Sequence, residues 1–330
     1  MLKSVLITGA NGGLGKESAR QLSLLNGTEK IYLGCRNEEK AIAAKRSLED
    51  STGKSIFEIV LMDLSNLDSV RSAVASLSEP FDALVMNAGG MGGPTPGKLT
   101  LDGVTQLFAI NVLGHVVLLD ELLRAKKLTK VALYVGSEAA RGVPKMAMKR
   151  PALKTSSVDE FASIADGSFF GGDLAARIAY GPVKYTGAMW MSSVSRTNPD
   201  LRFVTVSPGS TDGTAATDEL PPLMKSIMKT VGVRLMRLFG LMQDLEIGAK
   251  RYVDVLNDES YKSGVFYGSK ASTVTGPMVD QSTIFDDLNN ETFQDNANEA
   301  IHRFIQVREP IITDEGIHSV RQEREPSLAH

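Results

Sequence analysis

Residues 179–187 read AYGPVKYTG, and Tyr180 and Lys184 stand four apart. On a helix that spacing returns both side chains to one face. An unperturbed phenol, with a pKa near ~10, exchanges protons poorly at neutral pH. A lysine charge about 4 Å away contributes about 4 kcal/mol at an effective dielectric of ~20, or roughly three pKa units before desolvation takes some back. Such a pair could carry a proton to or from a substrate oxygen. A Tyr and a Lys at this spacing also occur by chance, and Gly181 and Pro182 between them read at first as helix punctuation.

A second stretch suggests what the proton would accompany. The first apolar run leads into TGANGGLG at 8–15, where Thr8, Gly9, Asn11, Gly13, Leu14 and Gly15 form a glycine loop before an amphipathic segment. A tight turn and a pyrophosphate lying against backbone both require glycine, and the unpaired N–H groups and dipole of a helix N-terminus favour the anion. An ordinary glycine-rich strand-to-helix turn is the plainer alternative. About twenty residues further on, a dinucleotide site selects its ribose. The chain places Arg36 there, after YLGC, where a carboxylate would suit NAD. A guanidinium can pair with a 2′-phosphate and stack on adenine, so the expected cofactor is NADP(H), with Asn11, Asn37 and Lys16 as lesser contacts.

These residues need a scaffold, and the chain supplies an alternating one. Short β-branched runs at 3–8, 30–35, 57–62, 82–86, 130–136, 201–206 and 264–267 predict strands. Helices are predicted at about 14–25, 37–52, 66–77, 101–124, 181–196 and 246–256. The order predicts an α/β protein with a doubly wound, Rossmann-type parallel sheet of about seven strands and helices on both faces. We expect one catalytic domain over 1–305, with a long insertion at 138–178 and a polar extension at 306–330.

Composition narrows the function. A net charge of −3 from 36 basic and 39 acidic residues gives no single-sign field, so no nucleic-acid partner is expected. Cys35 is the sole cysteine and the histidines number four, without HExxH spacing, so no metal site is expected. The lone cysteine suits a reducing compartment, cytoplasmic or an organelle stroma if a transit peptide has been removed. No window approaches eighteen uncharged apolar residues, so no transmembrane segment is expected.

TGANGGLG, Asp63-Leu64, Asn87-Ala88-Gly89, Asn111 in INVLGH, Ser137 in YVGSEAA, the Tyr180/Lys184 pair and Pro208-Gly209 follow one another in this order. Together they resemble the short-chain dehydrogenase/reductase family over roughly residues 3–270. The resemblance implies hydride transfer between NADP(H) and a carbonyl or alcohol, with Asn111, Ser137, Tyr180 and Lys184 catalytic. Tyr180 would exchange the proton, Ser137 would hold the substrate oxygen, and Asn111 would anchor a water linking Lys184 to solvent. Asp63 and Leu64 would meet the adenine end, Asn87, Ala88 and Gly89 would line the nucleotide cleft, and Pro208 and Gly209 would pass the nicotinamide. In this family the helix begins near the Tyr, which would place Pro182 harmlessly in its first turn.

Within the family, GCRNEEKA and LTLDGVTQLFAINVLGH resemble retinol-dehydrogenase-like reductases. The long interval between Ser137 and Tyr180, GGDLAARIAY and SGVFYGSK resemble light-dependent protochlorophyllide reductase, although Thr186 stands where those enzymes usually carry a cysteine. Residues 210–245 fall where the family places its substrate lid, and Leu223, Ile227, Met228, Val231, Leu235, Leu238 and Met242 recur there at helical spacing among basic residues. That segment reads as a core helix, as a Met-rich wall over a bulky apolar small-molecule substrate, or as a peripheral contact with an anionic membrane. Three activities stay open: carbonyl/alcohol chemistry, reduction of a conjugated C=C bond, and a non-catalytic NADPH sensor. The resemblance implies a dimer or tetramer, with a monomer also open. Replacing Arg36 by Ala should weaken NADPH binding and leave NADH binding unchanged in a fluorescence titration; equal affinities before and after would remove the cofactor assignment.

Overall fold

The computed structural model describes residues 1–144, 148–171, 174–211 and 241–305. Its centre is one sheet of eight strands in the order β3-β2-β1-β4-β5-β6-β7-β8. The strands are β1 (Ser4–Thr8), β2 (Lys30–Cys35), β3 (Phe57–Leu61), β4 (Phe81–Met86), β5 (Leu128–Val135), β6 (Arg202–Val206), β7 (Phe266–Ser269) and β8 (Met278–Asp280). The first seven run parallel, and β8 closes the far edge antiparallel to β7. The sequence reading lacked β8, which is only three residues long and too short to show a period.

Side chains alternate across the sheet, and both faces are buried. Val5 and Ile7 of β1 join Ile31, Leu33, Val85, Leu133 and Val204 on one face. Leu6 joins Tyr32, Leu84, Met86, Ala132 and Tyr134 on the other. Each such aliphatic side chain stabilises by about 1.5–3 kcal/mol on burial, so register is fixed on both sides at once. Helices α1 (Gly13–Ser23), α2 (Glu38–Thr52) and, later in the chain, α7 (Leu245–Asn257) follow β1, β2 and β6. Helices α3 (Leu67–Ser76), α4 (Gln106–Arg124) and α6 (Ala176–Thr197) contribute to the core that contains Tyr134. α4 is long and apolar enough to cross a bilayer, but most of it is buried in the protein core. The strand order reverses between β1 and β4, which opens a crevice at the carboxyl ends of the strands.

Two helix starts differ from expectation. α4 begins at Gln106 rather than 101, because Thr105 caps it by accepting the Phe108 N–H at 3.2 Å. α6 begins at Ala176, so Pro182 lies inside the helix and not in its first turn. The missing N–H leaves the Ile178 carbonyl without its helical donor, and Ile178 is 58% exposed, where water can replace it.

The 138–178 insertion holds a helix that the sequence reading lacked, α5 (Val158–Asp166). Ser157 caps it by accepting the Glu160 N–H at 3.3 Å. Glu160 reaches back to accept the N–H groups of Thr155 and Ser156 at 2.7 and 2.8 Å. This differs from a capping box in that the Ser157 N–H goes to Thr155 Oγ1, at 3.3 Å, while Glu160 holds the residues ahead of the cap. Phe161, Ile164 and Ala165 are buried, and Asp159 pairs with Arg303 beside α8 (Glu291–His302), the last helix among the described residues. Part of the insertion is therefore scaffold. Residues 212–240 and 306–330, which hold most of the expected lid and all of the polar extension, lie outside the described residues. Ser157→Ala should cost about 1 kcal/mol of stability, read as a lower urea midpoint at unchanged slope.

Candidate active site

Every predicted site residue lies at or beyond the carboxyl end of a strand, or on a helix facing that edge. After β1 the backbone turns with Gly9 at φ +67°, a conformation that favours glycine. A Cβ on Gly15 would sit 2.5 Å from the Gly9 carbonyl oxygen and 2.6 Å from Asn87 Nδ2. The Gly9, Gly15 and Asn87 backbones and side chain thus close on one another with no room for a methyl group. At the start of α1, Gly12 offers no side-chain cap and the first turn holds no acidic residue. The leading N–H groups are left for an external acceptor, which is the donor set a pyrophosphate requires.

Asn87 donates to the Thr8 carbonyl at 2.9 Å, and the Ala88 N–H donates to Thr8 Oγ1 at 2.9 Å, fixing the turn after β4 against the turn after β1. Arg36 is exposed directly after β2. The lesser contacts are partly occupied: Asn37 Oδ1 caps α2 through the Lys40 N–H at 2.8 Å, and Lys16 Nζ donates to Ser47 at 2.7 Å. Asp63 Oδ1 accepts both the N–H and the hydroxyl of Ser65, at 2.9 and 2.7 Å, so one of its oxygens shapes the loop after β3. Leu64 is buried behind it, Leu14 is half-buried beside the glycine turn, and Asn11 is exposed.

Across the crevice, α6 carries Tyr180 and Lys184 to one place. The Lys184 ammonium lies 5.7 Å from the centre of the Tyr180 ring and 5.2 Å from that of Tyr134. It donates to the Val135 carbonyl at 2.9 Å, and a Cβ on Gly89 would stand 3.5 Å from it. Ser137 follows β5, its hydroxyl oxygen accepting the Ala139 N–H at 3.2 Å, and its hydroxyl stands close enough to the Tyr180 phenol to lower its pKa. Tyr180, Lys184 and Ser137 are brought together as expected, beneath the loop of Asn87 to Gly89.

The electrostatics differ from the expected ones. Burial pushes the Tyr180 phenol up to about 12; the Ser137 hydrogen bond opposes this and Glu138 adds to it. Burial likewise pushes the Lys184 ammonium down to about 7. Desolvation therefore outweighs the attraction expected from the spacing. The resting phenol stays protonated at neutral pH and is a weaker acid than a free one.

Asn111 sits in a π-helical turn, Ala109–Leu113, within α4. Its amide donates to the carbonyls of Gly90 and Leu107, both at 2.8 Å, and its Oδ1 accepts the Gly90 N–H at 3.2 Å. Its backbone carbonyl accepts the Tyr134 hydroxyl at 2.9 Å. In this arrangement the Asn111 side chain fastens the loop beside Gly89, and its backbone carbonyl holds the Tyr134 hydroxyl. His115, one turn on, lies 3.0 Å from Thr8 Oγ1 and is held neutral, pushed down to about 3 by burial and by Lys184. Tyr134 and His115 escaped the sequence reading, although the i, i+4 spacing of Asn111 and His115 in INVLGH was available.

Beyond β6, Pro208 and Gly209 form a turn with Gly209 at φ +77°. The Pro208 carbonyl accepts from Gln243 at 2.7 Å. Among the described residues no cluster of His, Cys, Asp or Glu could hold a metal. Cys35 is buried, and its thiol is pushed up to about 11 by burial, which makes it a poor nucleophile.

A lysine whose folded pKa is depressed is protonated in the unfolded chain but not in the native one, so its unfavourable contribution is full below about pH 7 and fades toward pH 10. Lys184→Met in the cofactor-free protein should therefore be more stable than the parent at pH 7. Between pH 7 and 10 the parent should gain on it by about 1 kcal/mol per pH unit, measured by urea unfolding at each pH.

A family profile described as short chain dehydrogenase matches residues 3–147. Protochlorophyllide reductase B, chloroplastic, from Oryza sativa subsp. japonica is 30% identical over 284 residues, covering 80% of this chain and 68% of that protein. Retinol dehydrogenase 13 from Homo sapiens is 37% identical over 124 residues, covering 37% of this chain and only 36% of that protein. Among solved structures, salutaridine reductase from Papaver somniferum superposes with a TM-score of 0.59 at 17% identity, over 81% of this chain and 100% of that one, a likeness of fold. With the glycine turn, Ser137, Tyr180 and Lys184 gathered at one strand edge and a relative aligned over most of its length, the chain belongs to the short-chain dehydrogenase/reductase family.

Proposed function

We propose that the protein is an NADP(H)-dependent oxidoreductase that reduces a carbonyl, or oxidises the corresponding alcohol, of a bulky apolar small molecule. The observation that carries this reading is the convergence of Tyr180, Ser137 and Lys184 beneath a glycine turn whose helix N-terminus is uncapped. Gly9 to Gly15, Arg36 and Asn87 to Gly89 would hold the dinucleotide, and when bound it supplies or accepts the hydride. Ser137, its oxygen already accepting from Ala139, directs its hydroxyl proton at the substrate oxygen. Tyr180 donates its phenolic proton to that oxygen as negative charge builds on it. Lys184, in a desolvated position beside the phenol, stabilises the phenolate left behind far better than a solvated charge would.

A second reading, reduction of a conjugated C=C bond with Tyr180 protonating carbon, draws on one specific observation. The match to protochlorophyllide reductase B extends over 80% of the chain, whereas the match to retinol dehydrogenase 13 covers 37%. NADPH oxidation scanned across carbonyl and enone substrates, in darkness and in light, separates the two. Tyr180→Phe should keep NADPH binding and lose about 10²–10⁴-fold in turnover. A variant of undiminished rate would remove the mechanism.

A further inference from the structure

The residue after Ser137 is a buried glutamate. Glu138 is 4% exposed, and both of its oxygens are engaged at the ends of other strands. Oε1 accepts the Ser269 N–H, at the end of β7, at 3.0 Å. Oε2 accepts the hydroxyl proton of Ser207, at the end of β6. Ser207 Oγ in turn accepts the Gly209 N–H at 3.1 Å, so a continuous chain of hydrogen bonds runs from Glu138 to the Pro208-Gly209 turn.

Arg251, from α7, closes the same assembly and is also buried. Its Nη1 lies 3.7 Å from Glu138 Oε1 and donates to the Ser207 carbonyl at 2.9 Å. Its Nη2 donates to Ser269 Oγ at 3.0 Å and to the Gly276 carbonyl at 2.7 Å. The guanidinium also presses on the turn: a Cβ on Gly209 would stand 3.0 Å from Nη1. A buried ion pair adds little to stability compared with apolar packing, yet losing one partner is costly. Here the pair's hydrogen bonds go to the ends of β6 and β7 and to the loop at Gly276, and one of them leads to the turn beside the nucleotide crevice.

We infer that Glu138 and Arg251 act as a positioning clamp that sets the Ser137 hydroxyl and the Pro208-Gly209 turn in register with each other. The group that holds the substrate oxygen and the turn that passes the nicotinamide are thereby placed by one buried charge pair. This inference rests on the dinucleotide reading proposed above. It predicts a selective defect: loss of the clamp loosens the nicotinamide end and leaves the adenosine end, held by the glycine turn and Arg36, as it was.

The test compares Glu138→Gln, Arg251→Met and the double variant with the parent. NADPH affinity is titrated through nicotinamide fluorescence, and 2′-phospho-ADP-ribose, which lacks nicotinamide, is titrated by calorimetry. The single variants should bind the fragment within about twofold of the parent and NADPH about tenfold more weakly, the equivalent of one lost hydrogen bond. With a turned-over substrate, kcat should fall more than KM rises. The double variant, which leaves no unpaired buried charge, should regain the thermal midpoint that the singles lose without regaining NADPH affinity. Parallel losses for NADPH and fragment, recovery of both in the double variant, or unchanged NADPH affinity would each overturn the clamp. A parent protein that binds neither NADPH nor the fragment would instead overturn the dinucleotide reading, and the clamp with it.

Discussion

The ammonium of Lys184 is almost wholly withdrawn from water, at 3% exposure, and what surrounds it is arranged around that fact. The surroundings offer one carbonyl, that of Val135, and the faces of two phenol rings. None of these is an anion, so the charge is destabilised in the resting protein. A carboxylate here would have anchored the lysine and cancelled its field. Weak, neutral partners leave the charge uncompensated instead. The T-shaped contact of Tyr134 with the fully buried Trp190, at 5.9 Å, holds one of those rings rigidly.

Much of this was legible beforehand, for identifiable reasons. The strands before the crevice announce themselves because both faces of a parallel sheet are buried and their sequences are therefore continuously apolar. The glycine turn and the Tyr/Lys spacing are local patterns, and each lies within a single element. What was not legible depends on contacts between distant segments. Glu138 carries no local signal, because its partners Ser207, Ser269 and Arg251 lie 69 to 131 positions away. The commitment of the Asn111 amide to Gly90 and Leu107 could not be read, since Gly90 lies 21 positions away. The balance of charge at Tyr180 could not be read either, since it is set by burial, which no spacing rule reports.

The two families of relatives divide the molecule unevenly. The family profile stops at residue 147, just past Ser137, and so covers strands β1 to β5. The alignment that reaches further passes through the insertion, where α5 packs Phe161 and Ile164 into the core. The insertion's helix is thus tied to the same interior as α6, which carries Tyr180 and Lys184.

Pro182 has an effect on the helix that bears Tyr180 and Lys184. It removes one rung from the hydrogen-bond ladder of α6 between the turn that carries Tyr180 and the turn that carries Lys184. The opening turns, solvated at Ile178, are joined to the remainder by fewer backbone bonds than an unbroken helix would have. The place of Tyr180 therefore depends less on the helical ladder and more on packing against the core that also holds Ala179 and Val183.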